Sequence, residues 1–461
     1  MSTQLSQLDP TWAWAPYEPS PKCPWNRRAA AHLFRRAGFS AGTAELDEAV
    51  KLGPARVVEK LCIPQSTSAD TTEFDRTVAL LAERTAATGN PQQVASLWLY
   101  RMLNTPDPLL EKLTLFWHGH FATSAAKVES AKLMLAQNQT LRRHARGDFE
   151  EMVRAVSRDP AMLVYLDSTS NRRIRPNENY ARELLELFCL GVGNYTEQDI
   201  KEVARAFTGW EVRAGKWAFN AIQHDTGTKS FLGRSGNFDG DGAVKAVLEH
   251  PASPRFIARK LVRFFLFDEP EAPPALVETI AQELRSNGFE IGPVVRRMLG
   301  SNLMFSEHAV GRKVRSPVEL GVGLLRALGA TTNLVKLHDG LSELGQALLY
   351  PPNVKGWDGG RAWINSSTLL GRANLVRRIL TANETRYAAG NLEALAEKSG
   401  AKEAEQTVDW LLELLAAAPP PAAAREALVR LMKDADGPRD RSARIAQVIH
   451  AIAATPEFQL A

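Results

Sequence analysis

Residues 177–191 read NENYARELLELFCLG, and the spacing inside this stretch decides the fold class. Leu184, Leu187 and Phe188 recur at helical intervals and make one apolar face. Asn179, Arg182, Glu183 and Glu186 follow at i, i+3, i+4 and i+7 and make a polar stripe. Asn177, just after Pro176, is a residue type that caps a helix N-terminus. The stretch therefore reads as an amphipathic helix carrying two carboxylates on its polar side.

The same period extends in both directions. Upstream it predicts helices over 74–85, 91–103, 108–117, 130–146 and 149–158. Further back, NRRAAAHLFRRAGF (26–39) and 43–52 are helical, with Gly38 and Gly53-Pro54 as stops. The polar segment 65–72 reads as a loop. Downstream, Trp210 and Val212 alternate against Trp217 and Phe219 across residues 213–216, the pattern of a short β-hairpin. A loop with five glycines between Gly227 and Gly242 follows. Helices resume near Ala243, Arg255, Ala275 and Pro293. A second Gly-rich loop spans 350–364, and the Ala/Leu/Glu-rich tail from Asn391 reads as three helices.

The expected fold is all-α: a large single helical domain with a small β-hairpin insert and long Gly-rich loops. An extended N-terminal arm over 1–24 precedes a main domain over 25–390. C-terminal helices over 391–461 pack on it.

Composition narrows the class. The chain has 461 residues, 44% hydrophobic and 23% charged, which suits a soluble globular protein and excludes disorder as the main theme. Cys23, Cys62 and Cys189 are far apart with no CxxC, against a disulfide scaffold or a zinc ribbon. A net charge of +4 is small for this length. Arg142, Arg143 and Arg146, and the loop with Arg172, Arg173 and Arg175, are the only local basic candidates, so nucleic-acid binding is not expected. No apolar run reaches the roughly 18 residues of a membrane span. The first twenty residues lack the basic start and apolar run of a signal peptide, so the expected location is the cytoplasm.

The common catalytic signatures GxxxxGK[ST], GxGxxG after a strand, HExxH and GxSxG are absent, as is any Glu-x-x-His pair. Chemistry must rest on other groupings. In FWHGHF (116–121), His118 and His120 are two apart. On a continuous helix they diverge by about 200°, whereas a break at Gly119 would let them share a side. They are metal or acid–base candidates, or one packed and one exposed histidine. Glu183 and Glu186 hold a metal or share a proton, or form a solvated stripe with Arg182. HDTGTK (224–229) sets His224, Asp225 and Lys229 close together on a loop, as functional groups or as a turn. NFDGDG (237–242) echoes the start of a calcium loop, but position 12 is Leu248, so a helix-capping turn is the better reading. In PPNVKGWDGGRAWINSS (351–367), Trp357 and Trp363 with Lys355, Arg361 and Asn365 wall a binding cleft, or the tryptophans plug the core.

Taken together and in this order, HLFRRAGF, FWHGHF, residues 177–210, HDTGTKSFLG, RFIARKLVRFF (255–265), RSPVEL (315–320) and residues 345–374 resemble the bacterial domain of unknown function 1800 family. The resemblance covers nearly the whole chain from about Trp25. It implies a large, mostly helical protein with no agreed reaction and no catalytic residues to carry over. Many such proteins look exported. Some are similar to proteins found beside a sulfatase-like partner, which implies a possible paired role. Relatives often carry His where this chain has Phe188, so a ligand at that position would be absent here.

The reading drawn from residue chemistry is a metal-dependent enzyme, hydrolytic or oxidative. His118, His120, Glu183 and His224 are the ligands, with Asp225 as ligand or supporting partner. Glu186 orients a ligand or acts as a base, and Arg182 and Lys229 stabilise an anion. A mixed His/carboxylate shell suits zinc, iron or manganese. The ligand is a small molecule, glycan or peptide. The alternative is a non-catalytic helical scaffold or binding module whose His and Glu groups fix helix packing.

Overall fold

PLLEKLTLFWHGH forms the helix Pro108–His120, started by Asp107, whose side chain accepts the Leu110 N–H at 3.2 Å. The computed structural model describes residues 4–63, 69–434, 437 and 440–461. Eleven of the thirteen residues of this helix are buried, including Glu111, Lys112 and both histidines, so it runs through the core. A second central helix, Pro317–Ala327, is opened by a Ser316/Glu319 capping box. Its Gly323 allows close approach, since a Cβ there would lie 2.7 Å from the Phe39 carbonyl oxygen.

Buried charges tie the centre together. Lys112 forms an ion pair with Glu319 between the two central helices. Glu111 accepts hydrogen bonds from Trp98 Nε1 at 2.9 Å, Arg101 Nε at 2.8 Å and Arg142 Nε at 2.7 Å. Arg146 pairs with Asp107. Two of the three arginines in that basic cluster are thus spent on internal ion pairs.

Among the described residues the protein is 62% helical with three small two-stranded antiparallel sheets, which is the all-α class read from the sequence. The hairpin pairs Trp210–Arg213 with Lys216–Phe219 in the register Trp210↔Phe219 and Val212↔Trp217. Its turn residues Ala214 and Gly215 both have positive φ, which suits the twist of a tight hairpin. A second sheet, Lys229–Phe231 with Arg234–Gly236, lies where the glycines suggested only loop. Asp239 caps the helix Gly240–Leu248 by accepting the Gly242 N–H at 2.8 Å.

Among the described residues the tail holds five helices rather than three: Leu392–Lys398, Ala404–Leu415, Ala422–Lys433, Arg441–Ala453 and Pro456–Gln459. Gly400, with a φ of 78°, breaks the first from the second. Of the loop expected over 65–72, residues 65–68 lie outside the described residues, and the helix Ala69–Thr88 takes in the rest. Near the N-terminus, Asp9 caps the short helix Pro10–Trp14, and buried Trp14 donates to the Leu276 carbonyl at 3.1 Å. Among the described residues no helix is long and apolar enough to cross a membrane.

Candidate functional site

The helix Pro108–His120 continues through Gly119, so the rings of His118 and His120 point to opposite sides. His118 accepts the Leu349 N–H on Nε2 at 3.2 Å. Its ring meets Trp98 edge-on at 5.1 Å and Trp357 at 5.5 Å. Burial brings its pKa down to about 4, so it is neutral at ordinary pH.

His120 faces the segment 177–191. There the helix Asn179–Glu183, with Asn177 Oδ1 accepting the Asn179 N–H at 2.9 Å, widens into a π-helix over Leu184–Cys189. Leu190 and Gly191 both turn back to the Leu185 carbonyl, at 3.0 and 3.1 Å. The carbonyls of Leu187 and Phe188 are taken by side chains instead. His120 Nε2 donates to Phe188 O at 3.0 Å, and Lys260 Nζ donates to Leu187 O at 3.0 Å. Wide turns of this kind recur at functional sites because they expose backbone groups.

Lys260 Nζ also lies 3.0 Å from His120 Nδ1. A carbonyl only accepts, so Nε2 carries the imidazole proton and Nδ1 accepts from the lysine. Burial, then the charge of Lys260, holds the His120 pKa well below its ordinary value. Burial lowers the Lys260 ammonium to about 8, with Cys189 opposing and Arg263 adding to the shift. The pair is a neutral imidazole against an amine poised near neutral pH.

The pair lies in the wall of a cleft of about 320 Å³. Phe116 and Gly119 line one side, Arg263 and Phe264 another, and the loop with Lys355, Trp357 and Trp363 a third. The floor carries Asp268 and Glu319. Lys313 pairs with Asp268 at 3.1 Å, and Lys112 pairs with Glu319. Burial opposes ionisation of Glu319, but Lys112, Lys313 and the Ser316 N–H outweigh it and hold its pKa at about 2. The loop is seated by backbone contact: Gly356 has a φ of 80°, and a Cβ there would lie 2.3 Å from the Gly119 carbonyl oxygen. Only glycine fits that approach.

The structure thus places His120, Trp357 and Trp363 on one cleft, with His118 behind Trp357. Glu183 stands within electrostatic reach of Lys355. Its pKa is raised by burial and by Glu186, against Arg182 and Lys355. Glu186 accepts from Tyr195 Oη at 2.8 Å. Arg182 forms a surface pair with Glu197 at 2.8 Å. Arg361 pairs with Glu269 at 2.8 Å on the exterior, and Asn365 caps the helix Ser366–Thr381.

His224, Asp225 and Lys229 make their contacts away from the cleft. His224 Nδ1 lies 2.9 Å from Thr208 O. Asp225 pairs with Arg205 at 2.7 Å, which lowers its pKa, chiefly through that hydrogen bond. Lys229 Nζ donates to the Asp225 and Gly227 carbonyls.

Among the described residues no three His, Cys, Asp or Glu side chains gather closely enough to hold a metal ion. Both ring nitrogens of His120 are engaged, and the Nε2 of His118 is taken by a backbone N–H.

Reading residue types alone passed over Lys260 and Arg263, whereas Lys355 was read with the tryptophan loop and does line the cleft. A signal was present for the first. Lys260 sits four residues after Phe256 and four before Phe264, so a lysine shares an aromatic helix stripe. A lysine on such a stripe is buried or faces a cleft.

A family model described as "Protein of unknown function (DUF1800)" matches residues 32–460. No curated protein and no solved structure matches the chain.

Proposed function

The chain belongs to the DUF1800 family, and from that premise we propose that its cleft binds a small anionic molecule and acts on it by proton transfer through Lys260 and His120. One observation carries this reading. The Lys260–His120 pair stands in the wall of a cleft whose cations are not matched by carboxylates. Asp268 and Glu319 are neutralised by Lys313 and Lys112. Among the described residues, Lys260, Arg263 and Lys355 have no carboxylate within ion-pair distance, and Asp358 is the one remaining lining acid. The Arg263 Nη2 holds the Asp358 backbone carbonyl at 2.9 Å, which keeps the guanidinium at the rim.

Each part has a chemical use. Arg263 and Lys355 attract and orient an anionic group. Trp357, Phe116 and Phe264 supply an aromatic wall, which favours a flat or ring-bearing ligand. Lys260, its ammonium lowered to about 8 by burial, gives or takes a proton, and neutral His120 accepts its N–H. The cleft volume lies at the low end of the roughly 300–1,000 Å³ of small-molecule sites.

Thermal unfolding in the presence of inorganic phosphate, sulfate or citrate tests the reading. At least one anion raises Tm with saturation in the native chain, and the rise disappears in Arg263→Ala and Lys355→Ala. An equal rise in all three chains removes the proposal, because the anion would then bind elsewhere.

A further inference from the structure

We propose that Lys260 is a nucleophile that forms an imine with a small carbonyl compound bearing an anionic group. This rests on the cleft being the anion site. The amine is built for it geometrically. Its two protein partners, Leu187 O and His120 Nδ1, are both acceptors at 3.0 Å. An uncharged amine satisfies both with its two hydrogens and keeps its lone pair. The residue lines the cleft, so the lone pair has space beside it. Burial and a neighbouring cation are the two conditions that activate a lysine, and Arg263 supplies the second. The ring of Phe256, 4.7 Å from Nζ, packs against the amine and holds it in place.

The chemistry balances without an oxidant or reductant. The Nζ lone pair attacks the carbonyl carbon and forms the C–N bond, while the C=O π pair becomes an alkoxide. A proton leaves nitrogen through His120 Nδ1 and reaches that oxygen. The hydroxyl takes a second proton from nitrogen by the same route and departs as water, as the nitrogen lone pair closes the C=N bond. The Nε2–H of His120 stays on Phe188 O, which leaves Nδ1 as the relay atom. The anionic group rests on Arg263 and Lys355, so the ligand class is an oxo-acid or a phosphorylated aldehyde or ketone.

Pyridoxal phosphate, an aldehyde with a phosphate, is the probe. The full chain is treated with it, reduced with borohydride, and the adduct located by peptide mass spectrometry. Lys260 is expected to carry about tenfold more adduct than Lys355, the exposed lysine of the same cleft. Pyridoxal without its phosphate labels Lys260 about tenfold less, and inorganic phosphate protects it. Mapping the native chain needs no variant. Adduct on Lys355 or surface lysines with Lys260 unmodified, while inorganic phosphate still raises Tm, overturns the imine and leaves the anion site standing. Absence of both the phosphate response and the Lys260 adduct overturns both.

Discussion

His120 and His224 each bond to a backbone carbonyl on another segment, yet they belong to different kinds of structure. His120 meets Phe188, 68 residues away, and Lys260, 140 residues away. His224 meets Thr208, only 16 residues away. Around it Arg205, Asp225, Glu202 and Lys229 satisfy one another within a short stretch. The hairpin region closes on itself, and its charges are spent on holding the Gly-rich segment in shape. The cleft leaves Lys260, Arg263 and Lys355 with unused capacity. Residue types do not separate the two regions; unspent hydrogen-bonding and charge capacity does.

The largest expected effect strikes beneath the cleft. Glu319→Ala strands Lys112 in the core and costs about 3–5 kcal/mol. Asp225→Ala breaks a pair whose partners are 25% and 18% exposed, and costs about 1 kcal/mol. Urea unfolding of both variants measures the contrast, and equal losses would break it.

Next comes the histidine pair itself. His120→Leu leaves Phe188 O without its side-chain donor, removes one of the two acceptors of Lys260 and costs about 1–3 kcal/mol. It also weakens the anion-dependent rise in Tm. His224→Leu costs about 1 kcal/mol or less and keeps that rise, as its ring is half-buried and bonds locally. A lost anion response in the hairpin variant would merge the two regions into one site.

The smaller effects depend on pH. Lys260 loses its charge as pH rises through about 8, so anion affinity of the cleft falls across that value, read by titration calorimetry with phosphate. His118 titrates near 4 in the folded chain and near 6.5 when unfolded. The unfolded state therefore takes up a proton that the folded state refuses. This contribution to stability is fully present above about pH 6.5 and is lost as pH falls towards 4. His118→Gln flattens the urea-stability profile over that window.

Much of the fold is legible in the sequence because its causes are local. Asn177 and Asp239 stand where caps are needed, and Trp210, Val212, Trp217 and Phe219 fix the hairpin register by alternation, whereas Asn365, read as a cleft residue, proves to be a cap. The π-helix at Leu184–Cys189 is not legible. Its period-3.6 pattern reads as ordinary helix, and the wider turn coincides with side chains of two distant helices taking the Leu187 and Phe188 carbonyls. The site is legible in part. His120, Trp357, Trp363 and, on the same loop, Lys355 are legible, whereas Lys260 and Arg263 look like ordinary surface cations until their neighbours are known.

By itself the sequence determined the helical class, most helices of the first half and the hairpin, since each depends on residues a few positions apart, and the order of its motifs gave the kinship with one family. Only the tertiary structure decided which polar groups share a cleft. Whether His118 and His120 act together turned on the helix running through Gly119, and whether the tryptophan loop reaches them turned on the contact between Gly356 and the Gly119 carbonyl. The second of these joins residues more than two hundred positions apart, and close packing of backbone against backbone sets it, which no local period encodes.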